Sequence, residues 1–180
     1  MLNQITPART ANQPPEDAVD LLLGCHQRIR HFTGVAVKLA HSQGATSDEI
    51  RRAAAGVQRY FSVSLPLHEA DEEDTLRPRL DAVADERVCH ALLAMHDQHE
   101  TIDELIERLL PLLTMVEGNP GTLAAAGAEM CSITKVLDEV FRSHLQLEEE
   151  VIFPAIRDRM PESARGEMLA EMQTRRQQGA

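Results

Sequence analysis

The sequence predicts an all-α protein: an antiparallel, up-and-down four-helix bundle with a short extra helix at its C-terminal end. Three observations lead there. Apolar residues recur at intervals of three, four and seven through four long stretches, broadly one helical face each. No alternating apolar and polar run bounded by turns reads as a strand. The core must also be aliphatic, because hydrophobic residues make up 43% of the 180 positions while aromatics make up 3%, with one Tyr and no Trp. Leu, Ala, Val, Ile and Met suit helices packed on helices better than a β-sandwich.

The first helix begins after Pro14-Pro15 and carries Val19, Leu22, Leu23, Ile29, Val35, Ala36 and Leu39 on its apolar face. Ser42-Gln43-Gly44-Ala45-Thr46 ends it. Ser47 reads as the N-cap of the second helix, with Asp48 and Glu49 in a first turn where the helix dipole favours them. That helix is expected to run from 47 to about 74, with Pro66 kinking it or shifting its start and Pro78 closing the segment. The third helix spans about 85–116, with Leu92, Leu93, His96, His99, Ile102, Leu105, Ile106 and Leu109 along one stripe, and Pro111 is expected to disturb its last turns. After the break at Gly118-Asn119-Pro120-Gly121 a fourth helix covers about 122–159, with a kink expected at Pro154. Pro161 and Ser163 open an amphipathic helix reaching Arg176. It is expected to pack on the bundle or on a second chain as a homodimer contact, with Leu169 and Met172 inward and Arg175 and Arg176 solvated. The resulting division is a tail (1–16), a bundle (17–160) and a C-terminal helical extension (161–180).

Composition narrows the function classes. A formal charge of −11 without a basic patch argues against nucleic acid as a partner. No apolar run approaches the roughly 18 residues of a membrane span. Met1 to Glu16 holds three prolines and no apolar segment, so it reads as a flexible tail rather than a signal peptide. Cys25, Cys89 and Cys131 form neither a CxxC pair nor an even-numbered framework, and free thiols suit a reducing, cytoplasmic setting.

The histidines carry the chemistry. His68 is followed four residues on by Glu72 and then Glu73; His144 is followed four residues on by Glu148 and then Glu149. Four residues is one helical turn, about 6 Å along the axis and on one face, so imidazole and carboxylate can share a metal or bridge two. The preceding helices also match, because His26 and His99 each stand three residues before an isoleucine, Ile29 and Ile102. The chain thus repeats a His-x-x-Ile helix and a His-x-x-x-Glu-Glu helix, with separations of 42 residues (26 to 68) and 45 (99 to 144). In an antiparallel bundle the two repeats bring four His and two Glu to one level of the core. Imidazole and carboxylate suit iron, manganese or zinc. Two bridging carboxylates would leave each ion with about two nitrogens and two oxygens, short of saturation.

This coupled repeat resembles the hemerythrin-like family, the HHE cation-binding domain, over about Asp17 to Arg159. The resemblance implies His26, His68, Glu72, His99, His144 and Glu148 as metal ligands, with Glu69, His96 and Glu149 as additional or supporting groups. It implies two iron ions bridged by oxo or hydroxo and by both Glu carboxylates, with manganese or zinc as substitutes. The oxygen-carrying members have two His four apart on the third helix and an Asp five after the last His. Here His96 and His99 are three apart, and Glu148 and Glu149 follow His144. The match is closer to a four-His, two-Glu subset similar to bacterial proteins of nitric oxide stress and iron-centre repair. The expected role is binding or sensing oxygen, nitric oxide or iron and redox state. The alternatives are a di-iron oxidoreductase acting on nitric oxide or peroxide, an iron donor for repair, and a structural zinc bundle.

Overall fold

A computed structural model describes residues 15–178; the tail predicted for Met1 to Glu16 lies almost wholly outside them. Five long helical segments follow in order: α1 (Ala18–Ala40), α2 (residues 47–81), α3 (Glu86–Gly118), α4 (residues 123–159) and α5 (Glu162–Gln178). A 3₁₀ turn, Pro120–Thr122, leads into α4.

Each helix start has a local cause. Asp17 accepts from the Asp20 N–H, and Asp85 accepts from the Val88 N–H. Before α2 the cap is Thr46, not Ser47 as predicted. Thr46 Oγ1 accepts from the Glu49 N–H at 3.3 Å, and Glu49 Oε2 accepts from the Thr46 N–H at 2.8 Å. This reciprocal pair is available only when Glu stands three residues after the cap, which excludes Ser47. The α1–α2 connection turns at Gly44, whose φ of 79° would strain a side-chain-bearing residue.

Two prolines, Pro78 and Pro111, do not act as expected. Pro78 does not close α2, which continues to Asp81, and α3 runs unbroken through Pro111 to Gly118. Pro66, Pro78 and Pro154 each follow a π-helical turn: Tyr60–Ser64, Asp71–Leu76 and Glu148–Ile152. Each turn ends in a wide bond spanning five residues, from the Leu65, Arg77 and Phe153 N–H groups to the Tyr60, Glu72 and Glu148 carbonyls. The chain then re-enters α geometry with the proline in the first turn, where its missing N–H and fixed φ are tolerated.

Packing shows the antiparallel order directly. The helices form a ring in which α1 meets α2 and α4, and α3 meets the same two. Two apolar clusters fill it, one at each end. α1 starts in the cluster holding Val19 and Leu22 and ends in the one holding Ala36 and Leu39; α2 runs the opposite way, from Val57 and Phe61 to Leu76 and Leu80. α3 repeats the first direction and α4 the second. Between the clusters lies a polar layer.

α5 packs on α1 and on the π-turn of α2. Its buried residues are Met168 and Met172, while Leu169 is only half-buried against the same cluster. Arg175 and Arg176 are not solvated as predicted. Both are half-buried and pair with the buried carboxylate of Asp71. A helix with only two buried residues docks by charge as well as by apolar contact, and Asp71 needs a cation once it is enclosed.

Candidate metal centre

The polar layer is where each helix passes from one apolar cluster to the other. His26 lies between Leu22 and Ile29, His68 between Leu65 and Leu76, His99 between Met95 and Ile102, and His144 between Phe141 and Ile152. Helical spacing puts each imidazole on the same inward face as those neighbours. Glu72 and Glu148 enter the layer from the π-turns of α2 and α4 and are fully buried.

The six groups pair in a crossed pattern. Glu72 Oε1 is 3.2 Å from His68 Nε2, and its Oε2 is 3.2 Å from His99 Nε2. Glu148 Oε2 is 2.9 Å from His26 Nε2, and its Oε1 is 3.3 Å from His144 Nε2. Two donor sets result, each within 4.8 Å: His26, His68, Glu72 and Glu148, and Glu72, His99, His144 and Glu148. Both carboxylates belong to both sets, one oxygen to each.

The arrangement fits metal ions better than a hydrogen-bonded core. Both ring nitrogens of His68, Glu72 Oε1 and Glu148 Oε1 are buried without a hydrogen-bond partner among the described residues, and His26 Nε2 faces only the buried Glu148 carboxylate, at 2.9 Å. Orphaned buried polar atoms cost free energy, and one atom from each residue of a donor set lies within 4.8 Å of the others. The remaining nitrogens are used as ligand histidines use them. His26 Nδ1–H donates to Glu149 Oε1 at 2.7 Å, His99 Nδ1–H to Glu73 Oε1 at 2.9 Å, and His144 Nδ1–H to Gln98 Oε1 at 3.2 Å. Donation from Nδ1 turns the lone pair of Nε2 toward the donor set.

The candidate residues thus separate into groups. His26, His68, Glu72, His99, His144 and Glu148 come together. Glu149 stands behind His26 and is itself held by Arg30 at 2.9 Å. His96, roughly half-exposed, donates from Nδ1 to Glu73 at 3.1 Å. Glu69 stands outside both donor sets at a half-buried position. Sequence reasoning misses Glu73 as a site residue, although it occupies in the first repeat the place of Glu149 in the second. Each repeat uses its Glu-Glu pair alike, the first carboxylate toward both donor sets and the second toward the back of a histidine from the other repeat. A signal for this exists in the chain: Glu72 and Glu148 each precede a proline by six residues, Pro78 and Pro154.

Burial sets the protonation of the layer. Glu72 is pushed well above the usual carboxylate range, by enclosure first and the Glu148 carboxylate second. Glu148 is held low in spite of burial, by His144 and His26. Burial opposes a charge on His26, but Glu148 and Glu149 outweigh it and raise the imidazole to about 9. His68 falls well below its ordinary value and His144 falls to about 4, in both cases chiefly through burial.

A helical bundle with a buried, doubly shared histidine–carboxylate layer defines a cation-binding domain. The Hemerythrin HHE cation binding domain matches residues 17–156, and the chain belongs to that family. No curated protein matched the sequence.

A pH dependence follows. A cation entering the layer would displace the proton of His26, which is held up to about 9, and would oppose the shift that burial gives Glu72 toward its neutral form. Affinity for Zn(II) or Co(II) should therefore rise with pH from 6 toward 9, by up to about tenfold per unit for each proton displaced. Calorimetry in buffers of different ionisation enthalpy counts those protons; a pH-independent affinity would contradict this protonation pattern.

Proposed function

We propose that the chain is a non-haem di-iron protein that binds or senses oxygen, nitric oxide or the iron and redox state of the cytoplasm. The observation that carries this reading is the crossed sharing of Glu72 and Glu148 between two donor sets, which suits two neighbouring ions better than one. His26 and His68 would hold one ion and His99 and His144 the other, with both carboxylates bridging. Four protein donors would leave each ion short of six, and two iron ions, once bound, would supply redox chemistry toward a small diatomic ligand. Glu149, Glu73 and Gln98 orient imidazoles and keep Nε2 directed inward. The apolar clusters on either side exclude water from the layer and favour a small uncharged ligand such as oxygen or nitric oxide. A cytoplasmic setting is supported by the free thiols Cys25, Cys89 and Cys131.

The test is anaerobic loading with Fe(II), an ion count per chain, and exposure to oxygen or nitric oxide. About two irons per chain and new near-ultraviolet and visible absorption on exposure are expected. Uptake of fewer than one iron per chain would sink the reading. One reaction per loaded centre supports binding or sensing, and sustained turnover of nitric oxide or peroxide would move the protein to the enzymes. Zinc in protein purified without added metal, inert to both gases, would favour a structural bundle.

A further inference from the structure

The two repeats support their ligands differently, and the difference leads to the C-terminal helix. In the second repeat the residue before Glu148 is Leu147, packed on an apolar cluster, and the residue before His99 is Gln98, which holds His144 from behind. In the first repeat the corresponding residues are Asp71, before Glu72, and Cys25, before His26. Neither finds its partner in the matching place on another bundle helix. Both reach α5, which lies outside the region the family matches.

Asp71 is fully buried. Its two carboxylate oxygens face two guanidinium groups, Oδ1 toward Arg175 and Oδ2 toward Arg176. Arg175 Nη2 also donates to Thr75 Oγ1 at 3.0 Å, and Thr75 donates to Glu171 Oε1 at 3.0 Å. Arg79 closes the network by donating to Glu171 Oε2 at 2.8 Å. Arg176 Nη2 reaches Cys25 Sγ at 3.4 Å, and Arg28 reaches the same sulfur at 3.0 Å. One arginine of α5 thus touches the residues that precede His26 on α1 and Glu72 on α2.

We propose that α5 is a clasp on the metal centre, in which Arg175 and Arg176 grip Asp71 and Cys25 and so hold Glu72 and His26 in ligating position. These arginines are positioning residues, and the proposal rests on the metal-binding reading above. The π-turn Asp71–Leu76 replaces regular α-helical bonding by a wide bond from the Arg77 N–H to the Glu72 carbonyl, and the contacts to Asp71 brace that turn from α5. Two guanidinium groups, one on each oxygen of Asp71, supply orientation that a single cation would not. Releasing the clasp lets the Glu72 carboxylate swing from both ions at once, and metal escape is expected to quicken more than the fold weakens.

The test uses the full chain loaded with two Co(II) ions, transferred into excess chelator. Release and ligand-field absorption are followed for the wild type, Arg175→Ala/Arg176→Ala and the near-isosteric Asp71→Asn. Arg165→Ala serves as a control on the same helix, since Arg165 pairs with Asp17 at 3.6 Å, away from the clasp. Both clasp variants are expected to release metal about 10–100-fold faster and to shift the Co(II) bands, while the control does neither. If the double variant does not fold, Asp71→Asn alone decides. Clasp variants that melt lower without metal but keep the wild-type release rate and spectrum overturn the clasp and leave the metal centre standing. A wild-type chain that takes up no Co(II) overturns both.

Discussion

Replacing Glu72 by Gln should empty both metal positions, whereas replacing His26 by Ala should empty one. The asymmetry comes from the crossed pattern. Glu72 sends one oxygen to the side of His68 and the other to the side of His99, each 3.2 Å from an Nε2. His26 addresses one donor set only. Ion counts on protein equilibrated with Fe(II) or Co(II) should therefore fall from about two per chain to near none for Glu72→Gln and to about one for His26→Ala. Glu148→Gln should behave as Glu72→Gln does. Loss of fold is not the cause expected for the glutamine variant. Burial and the Glu148 carboxylate push Glu72 toward its neutral form in the metal-free layer, and glutamine is close in shape to a neutral acid. The metal-free variant is expected to melt at or above the wild-type temperature while failing to bind. Retention of two tightly held ions by Glu72→Gln would mean that the carboxylate does not bridge.

Removal of metal from the wild type should have the largest effect on stability. The metal-free layer holds four imidazoles and two carboxylates in the core, several of their atoms without hydrogen-bond partners among the described residues. Metal coordination would satisfy those atoms and is absent from the unfolded chain, so its binding free energy would add to folding. At a free metal concentration a thousandfold above the dissociation constant, each ion contributes about 4 kcal/mol. Two ions together should raise Tm by roughly 15–30 °C for a chain of this length. Melting curves by circular dichroism with and without a chelator measure the difference. An unchanged Tm would identify a bundle whose polar layer is stable without ions, which would return the structural reading.

Much of this centre is legible in the amino-acid sequence. His26, His68, Glu72, His99, His144 and Glu148 stand out because two repeats place like residues at like spacing, and a repeat of that kind does not depend on tertiary detail. The all-α class is legible for a similar reason, since apolar periodicity is a property of the chain itself. Proline behaviour is not. Pro78 reads as a stop, Pro66 as a kink or a shifted start and Pro154 as a kink, because a proline inside an α-helix normally removes a bond and clashes with the preceding turn. The π-turns that admit them are wide bonds formed by the Tyr60, Glu72 and Glu148 carbonyls, each six residues before its proline, and that spacing alone does not tell a π-turn from a kink. The predicted cap of α2 is off by one residue because both Thr46 and Ser47 are good caps, and the distinction lies in Glu49.

The sequence by itself determined the helical class, the order of the helices and the six residues that meet in the polar layer, because these follow from periodicities of a few residues. Only the tertiary structure decided which oxygen of each carboxylate faces which imidazole, that Glu73 and Glu149 stand behind histidines of the opposite repeat, and that Arg175 and Arg176 turn inward to Asp71. Apart from the one-turn pairs His68–Glu72 and His144–Glu148, those partners lie from 26 to 123 positions apart along the chain. No local rule couples residues at that range. The coupling arises when the bundle closes and a buried charge or an unpaired nitrogen takes the partner that packing has brought within reach.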